Sequence, residues 1–166
     1  MGRGAEVVLS DETKNVFISH IHEDDQVLQG LKDLLSRSGY NIRDGSIDSS
    51  KPNEATSEEY IKSGILGPRI QWASAMIVLI TPNTHTSKWV NWEIEYASRE
   101  GKRIIGVWGQ ACQDSDVPAN LDRYADAVVG WQADRVMDAV TGRINNWFTC
   151  AGTQRDPRTI ARYSCK

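Results

Sequence analysis

Met76-Ile77-Val78-Leu79-Ile80, then Thr81-Pro82-Asn83, then Thr84-His85-Thr86-Ser87-Lys88-Trp89-Val90-Asn91-Trp92-Glu93-Ile94-Glu95-Tyr96-Ala97 is the stretch on which the fold turns. The apolar run reads as a buried strand, the proline-bearing triplet as a turn, and the remainder as an amphipathic helix. On a wheel of ~100° per residue centred on Glu93, Trp89, Val90, Tyr96 and Ala97 fall within about 60° of it. Asn91, Glu95 and Ser98 fall opposite. Glu95 is spaced to pair with Arg99 at i,i+4 and reads as a solvated carboxylate. Glu93 stands in the middle of the apolar face, where a charge is costly unless something pairs with it. A position that breaks its local pattern is where function is to be sought.

Working upstream, Val16-Phe17-Ile18-Ser19 is a short apolar run and hence a buried first strand. It breaks into His20-Ile21-His22-Glu23-Asp24-Asp25, whose acids suit the N-terminus of a following helix. That helix places Val27, Leu28, Leu31, Leu34 and Leu35 on one face and ends at Gly39 as its C′ residue. Tyr40-Asn41-Ile42 is a second strand. The polar stretch from Arg43 to Ala55 is expected to be a mobile loop that orders on ligand binding or self-assembly. Thr56-Ser57-Glu58-Glu59 forms a capping box for a helix whose inner face includes Tyr60, Ile61, Ile65 and Ile70. Gly67-Pro68 should kink or interrupt that helix.

Downstream, Arg103-Ile104-Ile105-Gly106-Val107-Trp108 is a fourth strand, followed by a polar loop through Asp116. Ala125 to Val129 supplies a fifth. A last helix carries Val136, Met137, Val140, Ile144, Trp147 and Phe148 on one side. Residues 1–15 read as a loosely held leader, 16–150 as one domain, and 151–166 as a polar tail dispensable for folding.

With 166 residues, 40% hydrophobic and 25% charged, the chain reads as one soluble globular domain with a sizeable core. A net charge of −3 without a basic block excludes general nucleic-acid or membrane-surface binding. No apolar run approaches the ~18 residues of a membrane span, and no signal-peptide core is present, so a cytoplasmic protein is expected. Cys112, Cys150 and Cys165 lack metal-type spacing and read as reduced thiols.

Strands alternating with amphipathic helices imply an α/β, mostly parallel sheet with right-handed crossovers. Five of them suit a three-layer, flavodoxin-like fold with strand order 2-1-3-4-5. In that order the crevice opens where strands one and three end, at Ser19–Asp25 and Thr81–Lys88. The Glu93 helix starts beside it. His20-Ile21-His22-Glu23-Asp24-Asp25 is similar to the His-x-His-x-Asp-His motif of metallo-β-lactamase-like hydrolases, but it ends in Asp25 and leaves only His85 elsewhere. A site of that type needs more ligands, so no metal is expected. The third strand ends in Thr81-Pro82 without the phosphoacceptor aspartate of a receiver domain. The acids after strand one are hostile to the phosphate of a flavin. Neither Gly-x-Gly-x-x-Gly nor Gly-Lys-Ser/Thr occurs, which removes Rossmann and P-loop readings.

One family resemblance survives. Val16-Phe17-Ile18-Ser19-His20 with Asp24 resembles the first box of TIR (Toll/interleukin-1 receptor) domains. Ser38-Gly39-Tyr40 leading into the 43–55 segment resembles their BB loop. Ser87-Lys88-Trp89-Val90-Asn91-Trp92-Glu93-Ile94 resembles the segment bearing the Trp-x-x-x-Glu glutamate of family enzymes. From Val16 to Phe148 the chain is similar to the bacterial TIR-like branch of Thoeris antiphage systems. The resemblance implies cleavage of the nicotinamide–ribose bond of NAD, giving ADP-ribose or a cyclic isomer that activates a partner effector. It implies Glu93 as the catalytic carboxylate. Phe17, Ser19, His20, Asp24 and the Asp44–Ser46 loop, with Asp44 and Ser46 themselves, would line the nucleotide pocket, with Trp89 nearby. NAD enters as substrate and no cofactor is implied; self-association is expected.

The chemistry suits a single buried carboxylate. Nicotinamide leaves as a neutral molecule from a cationic precursor and needs no general acid, whereas the oxocarbenium-like ribosyl centre needs a negative neighbour. Alternatives stay open. Glu93 could be half of a buried ion pair; Trp89 and Trp92 could serve packing; Ser19, His20 and Asp24 could be loop and cap residues. The domain as a whole could be a catalytically silent scaffold, or a nucleotide sensor that binds without turnover.

Overall fold

Residue parity along the strands sorts the interior into two half-cores, one on each side of a single sheet. The computed structural model describes residues 13–46 and 61–155. Its strands are β1 (Thr13–Ser19), β2 (Asn41–Asp44), β3 (Ala75–Ile80), β4 (Arg103–Trp108) and β5 (Ala127–Val129). They run parallel in the order β2-β1-β3-β4-β5, the flavodoxin-like order read from the sequence. Val16 lies between Asp44 and Ala75, and Ile105 between Ile77 and Ala127, which fixes the register.

The helices are α1 (Asp25–Arg37), α2 (Gly67–Trp72), α3 (Lys88–Arg99), α4 (Ala119–Tyr124) and α5 (Ala133–Thr141). Phe17, Met76, Val78, Ile80, Ile104 and Trp108 point to one face, where Ile70 of α2, Val90, Ile94 and Ala97 of α3, and Leu121 of α4 cover them. Val16, Ile18, Ile77, Leu79, Ile105 and Val107 point to the other, against Leu31 and Leu35 of α1 and Val136 and Val140 of α5. Helices on both faces explain why β3 is apolar at every position instead of alternating. Each fully buried Ile or Leu contributes about 1.5–3 kcal/mol by leaving water, so β3 is the fold's anchor.

Several boundaries differ from the sequence reading. β1 begins at Thr13, inside the expected leader, because Thr13 to Asn15 pair with Asn41 to Arg43. Gly39 has φ +86° and follows the last helical turn, in the C′ role expected of it. Gly67-Pro68 marks a change of helical type: a π-helical stretch, Ile61–Leu66, ends there and α2 begins, with Pro68 in its first turn, where a missing N–H is tolerated. The expected capping box at Thr56 and most of the 43–55 loop lie outside the described residues.

The last helix is shorter than expected. Gly142 takes φ +88° and closes α5 at Thr141, so Ile144, Trp147 and Phe148 lie off the helix despite their helical spacing. The chain instead runs along β5, with Phe148 N–H donating to Val128 O at 2.9 Å and Val128 N–H to Asn146 O at 3.0 Å. α4 was not anticipated. It approaches β4 closely because Gly106 carries no side chain; a Cβ there would stand 2.9 Å from Leu121 Cδ2 and 3.0 Å from Ile80 Cδ1.

The expectation of reduced thiols is overturned at two of the three cysteines. Cys112 and Cys150 form a disulfide across Cα atoms 6.0 Å apart. Their proximity comes from the segment after Trp147 folding beside the end of β4, which a separation of 38 residues does not announce. Residues 151–155 also dock: Thr149 N–H donates to Thr153 O and Arg155 N–H to Trp147 O, both at 2.7 Å, and the Arg155 guanidinium covers the Trp147 ring. Truncation after Thr149 is therefore expected to destabilise the domain. Losing a crosslink over 38 residues alone costs roughly 4 kcal/mol in the chain-entropy account. At about 2–4 °C per kcal/mol for a chain of this size, the thermal midpoint should fall by roughly 10 °C. An unchanged midpoint would restore the tail as dispensable. Among the described residues no helix is long and apolar enough to cross a membrane.

Candidate functional site

Strand parity aims Ser19 to the same side as Phe17, toward α3. There the Ser19 hydroxyl donates to Glu93 Oε1 at 2.5 Å. Both residues are buried, Ser19 at 1% and Glu93 at 7% exposure. The bond joins residues 74 apart in sequence and spans the ends of β1 and the α3 segment that follows β3. Phe17 is wholly buried in the same half-core, packed beneath the pair with Val90 and Ile94.

The placement of Glu93 starts at the first turn of its helix. Ser87 caps α3, its Oγ accepting from Val90 N–H at 3.1 Å, while Asn91 Nδ2 donates to Ser87 O at 3.0 Å. Asn120 of α4 then donates through Nδ2 to Asn91 O at 2.8 Å, pinning that turn from the side. Val90, Glu93 and Ala97 lie on the buried face as expected, joined by Ile94, while Tyr96 is only half-buried. Two further wheel positions differ. Ser98 is buried, because α3 is flanked by α2 and α4 as well as by the sheet. Trp89, in the first turn, is 38% exposed. Glu95 pairs with Arg99 at 2.7 Å on the outer side, as its spacing foretold.

Burial pushes the Glu93 carboxyl up to about 8 from 4.5, and the Ser19 hydrogen bond pulls it back only in part. No ion-pair partner of Glu93 is found among the described residues. The buried-ion-pair alternative therefore lacks its second half there. A carboxyl raised to about 8 favours its protonated form at neutral pH.

The other expected site residues settle in distinct local networks. His20 places Nδ1 2.9 Å from Ile18 O and Nε2 3.0 Å from Asp25 Oδ1, so both ring nitrogens are engaged by the protein. His22 reaches the other oxygen of Asp25 at 3.2 Å. Among the described residues no three such side chains are grouped to hold a metal ion. Asp24 accepts a hydrogen bond from the Thr81 hydroxyl. Asp44 Oδ1 accepts from Ser46 N–H at 2.9 Å and from Ile18 N–H at 3.3 Å, and its Oδ2 accepts from Ser46 Oγ at 2.8 Å. Lys32 Nζ lies 3.6 Å from the same carboxylate. Asp44 and Ser46 thus tie the start of the long loop to β1. Gly45 between them lies under the Trp72 ring, where a Cβ would meet ring carbon at 2.9 Å.

Thr81, Thr84 and Asp25 were not singled out beforehand. The signal for the threonines was the Thr81-Pro82-Asn83-Thr84 spacing, in which a hydroxyl reaches back to a backbone N–H three residues earlier.

Fold and site together define a flavodoxin-like α/β domain carrying a buried, proton-holding carboxyl where its first and third strands end. The chain belongs to the family described as Thoeris protein ThsB, TIR-like domain, whose model matches residues 17–114. A relative from Bacillus cereus (strain MSX-D12), described as a probable 3' cyclic ADP-D-ribose synthase ThsB', is 31% identical over 87 residues, or 49% of this chain and 42% of that one. The chain thus spans less than half of that relative's length. Among solved structures, a conserved protein from Enterococcus faecalis V583 covers 80% of this chain and all of its own, at TM-score 0.49 and 11% identity. The TIR domains of the activated Roq1 resistosome cover 60% of this chain and 59% of their own, at TM-score 0.43 and 18% identity.

Proposed function

We propose that this domain cleaves the bond between nicotinamide and ribose in NAD, with Glu93 as the catalytic carboxylate. The observation that carries the reading is Glu93 itself, buried beside Val90, Ile94 and Ala97, held among the described residues by the Ser19 hydroxyl, and poised to release its proton to water when a cationic guest docks. Family membership and the name of the Bacillus cereus relative support the same chemistry.

NAD brings its own positive charge on the pyridinium nitrogen. As the ring docks, the carboxyl ionises in its favour. The glycosidic electron pair then leaves with nicotinamide, which departs neutral, and Glu93 carboxylate faces the developing oxocarbenium ion. Attack by water yields ADP-ribose and a proton. Attack by a hydroxyl or ring nitrogen of the same nucleotide yields a cyclic ADP-ribose isomer, the class of product named for the relative. Self-association of the domain and a partner effector that senses the product complete the reading of an antiphage signal made in the cytoplasm.

The test is to incubate the pure protein with NAD and to follow nicotinamide release and the ribosyl product by chromatography. Release is expected. Folded protein that releases none, with or without phage-infected lysate as trigger, would leave the scaffold reading in its place; tight NAD binding without turnover would favour the sensor.

A further inference from the structure

Thr81 and Thr84 are buried polar residues directly after β3, 3% and 0% exposed. Buried hydroxyls need partners, and their protons can be followed one by one. Thr81 N–H donates to Thr84 Oγ1 at 3.0 Å, and the Thr84 hydroxyl donates to Leu79 O at 3.0 Å. The Thr81 hydroxyl, 2.8 Å from that of Thr84, gives its own proton to Asp24 Oδ2. That assignment satisfies every donor in the cluster. Thr84 knots the loop onto the end of β3, and Thr81 extends the knot across to the segment between β1 and α1.

Two side-chain hydrogen bonds thus span the crevice side by side, Asp24 with Thr81 and Ser19 with Glu93. Asp24 lies five residues beyond Ser19 on one lip. On the other, Ser87 N–H donates to Thr84 O at 3.1 Å, and Ser87 caps the helix that carries Glu93. A shift of the 81–87 segment away from Asp24 would move the start of α3 and draw Glu93 off Ser19. We infer that Asp24 and Thr81 are a positioning pair, a latch that sets the height of Glu93 against the end of β1, with Asp24 acting through Thr81 and not through the substrate. The inference rests on the NAD-cleaving reading for its kinetic consequences and on the structure alone for the latch.

Thr81→Val keeps shape and removes the donor; Asp24→Ala removes the acceptor. Each is expected to lower kcat for nicotinamide release by roughly ten- to a hundredfold, the scale of a misplaced catalytic group, with KM within about twofold. Thr81→Ser and Asp24→Asn, which keep donor and acceptor, should retain most of the rate. The double variant should be no slower than the slower single one, because one bond is lost in all three. Hydrogen exchange of the 84–90 amides should quicken in Thr81→Val and Asp24→Ala but not in Thr81→Ser. Asp24 is half-buried, so Asp24→Ala carries the test if Thr81→Val folds poorly. Multiplying losses in the double variant, or a KM rise in Asp24→Ala with Thr81→Val silent, would overturn the latch and make Asp24 a substrate contact. Unchanged exchange would overturn it as well. Quickened exchange in a wild-type background that never turns over NAD would keep the latch and remove the NAD reading.

Discussion

Glu93→Gln is expected to lower nicotinamide release by several orders of magnitude while leaving the fold intact. The amide matches the carboxyl in volume and still accepts the Ser19 hydroxyl, whose donation at 2.5 Å holds the side chain in place. What it cannot do is carry negative charge toward a developing cation. Each ~1.4 kcal/mol of transition-state stabilisation withdrawn costs a factor of ten, and one well-placed charge in a dry site is worth several such factors. In the wild type, kcat/KM should climb with pH toward about 8, where the free carboxyl ionises. That limb should be missing from the residual activity of the variant. Glu95→Gln is the control: it faces outward, paired with Arg99 at 2.7 Å, and should change neither rate nor stability appreciably. A folded Glu93→Gln protein with full NAD turnover would remove the mechanism.

The part of the fold that was legible is the part where local pattern and burial agree. β3 and β4 are long apolar runs, and covering helices on both faces make such runs unambiguous, so Met76–Ile80 and Arg103–Trp108 could be found directly. Strand order followed from alternation with helices. The misses share a cause of another kind. Ile144, Trp147 and Phe148 repeat at helical spacing, yet a single left-handed glycine at 142 outweighs the repeat and sends the chain along β5. The Cys112–Cys150 link joins segments 38 residues apart, and Arg155 reaches back to Asp122 on α4. No window of sequence contains them.

The candidate site divides along the same line. Glu93 was visible because a helix wheel exposes one charged residue on an apolar face. Ser19 was visible as the end of a buried strand, but its bond to Glu93 needed β1 and β3 side by side. His20 and Asp24 follow the end of β1, and what they touch is set by folding: the histidine closes on Ile18 and Asp25, the aspartate on Thr81. Thr81 read as part of a proline-bearing turn and Thr84 as the start of the helical stretch after it. Only their burial shows them to be structural donors.

Stability is expected to fall as pH rises from about 5 to about 8, and Glu93→Gln should abolish that fall. The folded carboxyl titrates near 8, the unfolded one near 4.5, and burial is the larger cause. Between those values the native state keeps a proton that the unfolded chain has released. Raising the pH therefore favours unfolding, by ~1.4 kcal/mol per pH unit, until the native carboxyl also ionises. Across the whole window the loss is roughly 4–5 kcal/mol, a large part of a domain's net stability. The glutamine variant carries no charge at any pH. It should match the wild type near pH 5 and exceed it near pH 9, as the difference between two urea-melt free energies; other titrating groups cancel in that difference. NAD should flatten the wild-type curve, because a bound cation stabilises the carboxylate and lowers the pH at which the native proton leaves. If the two proteins differ by the same amount at both pH values, Glu93 is already ionised in the free protein and the site is wetter than its burial indicates.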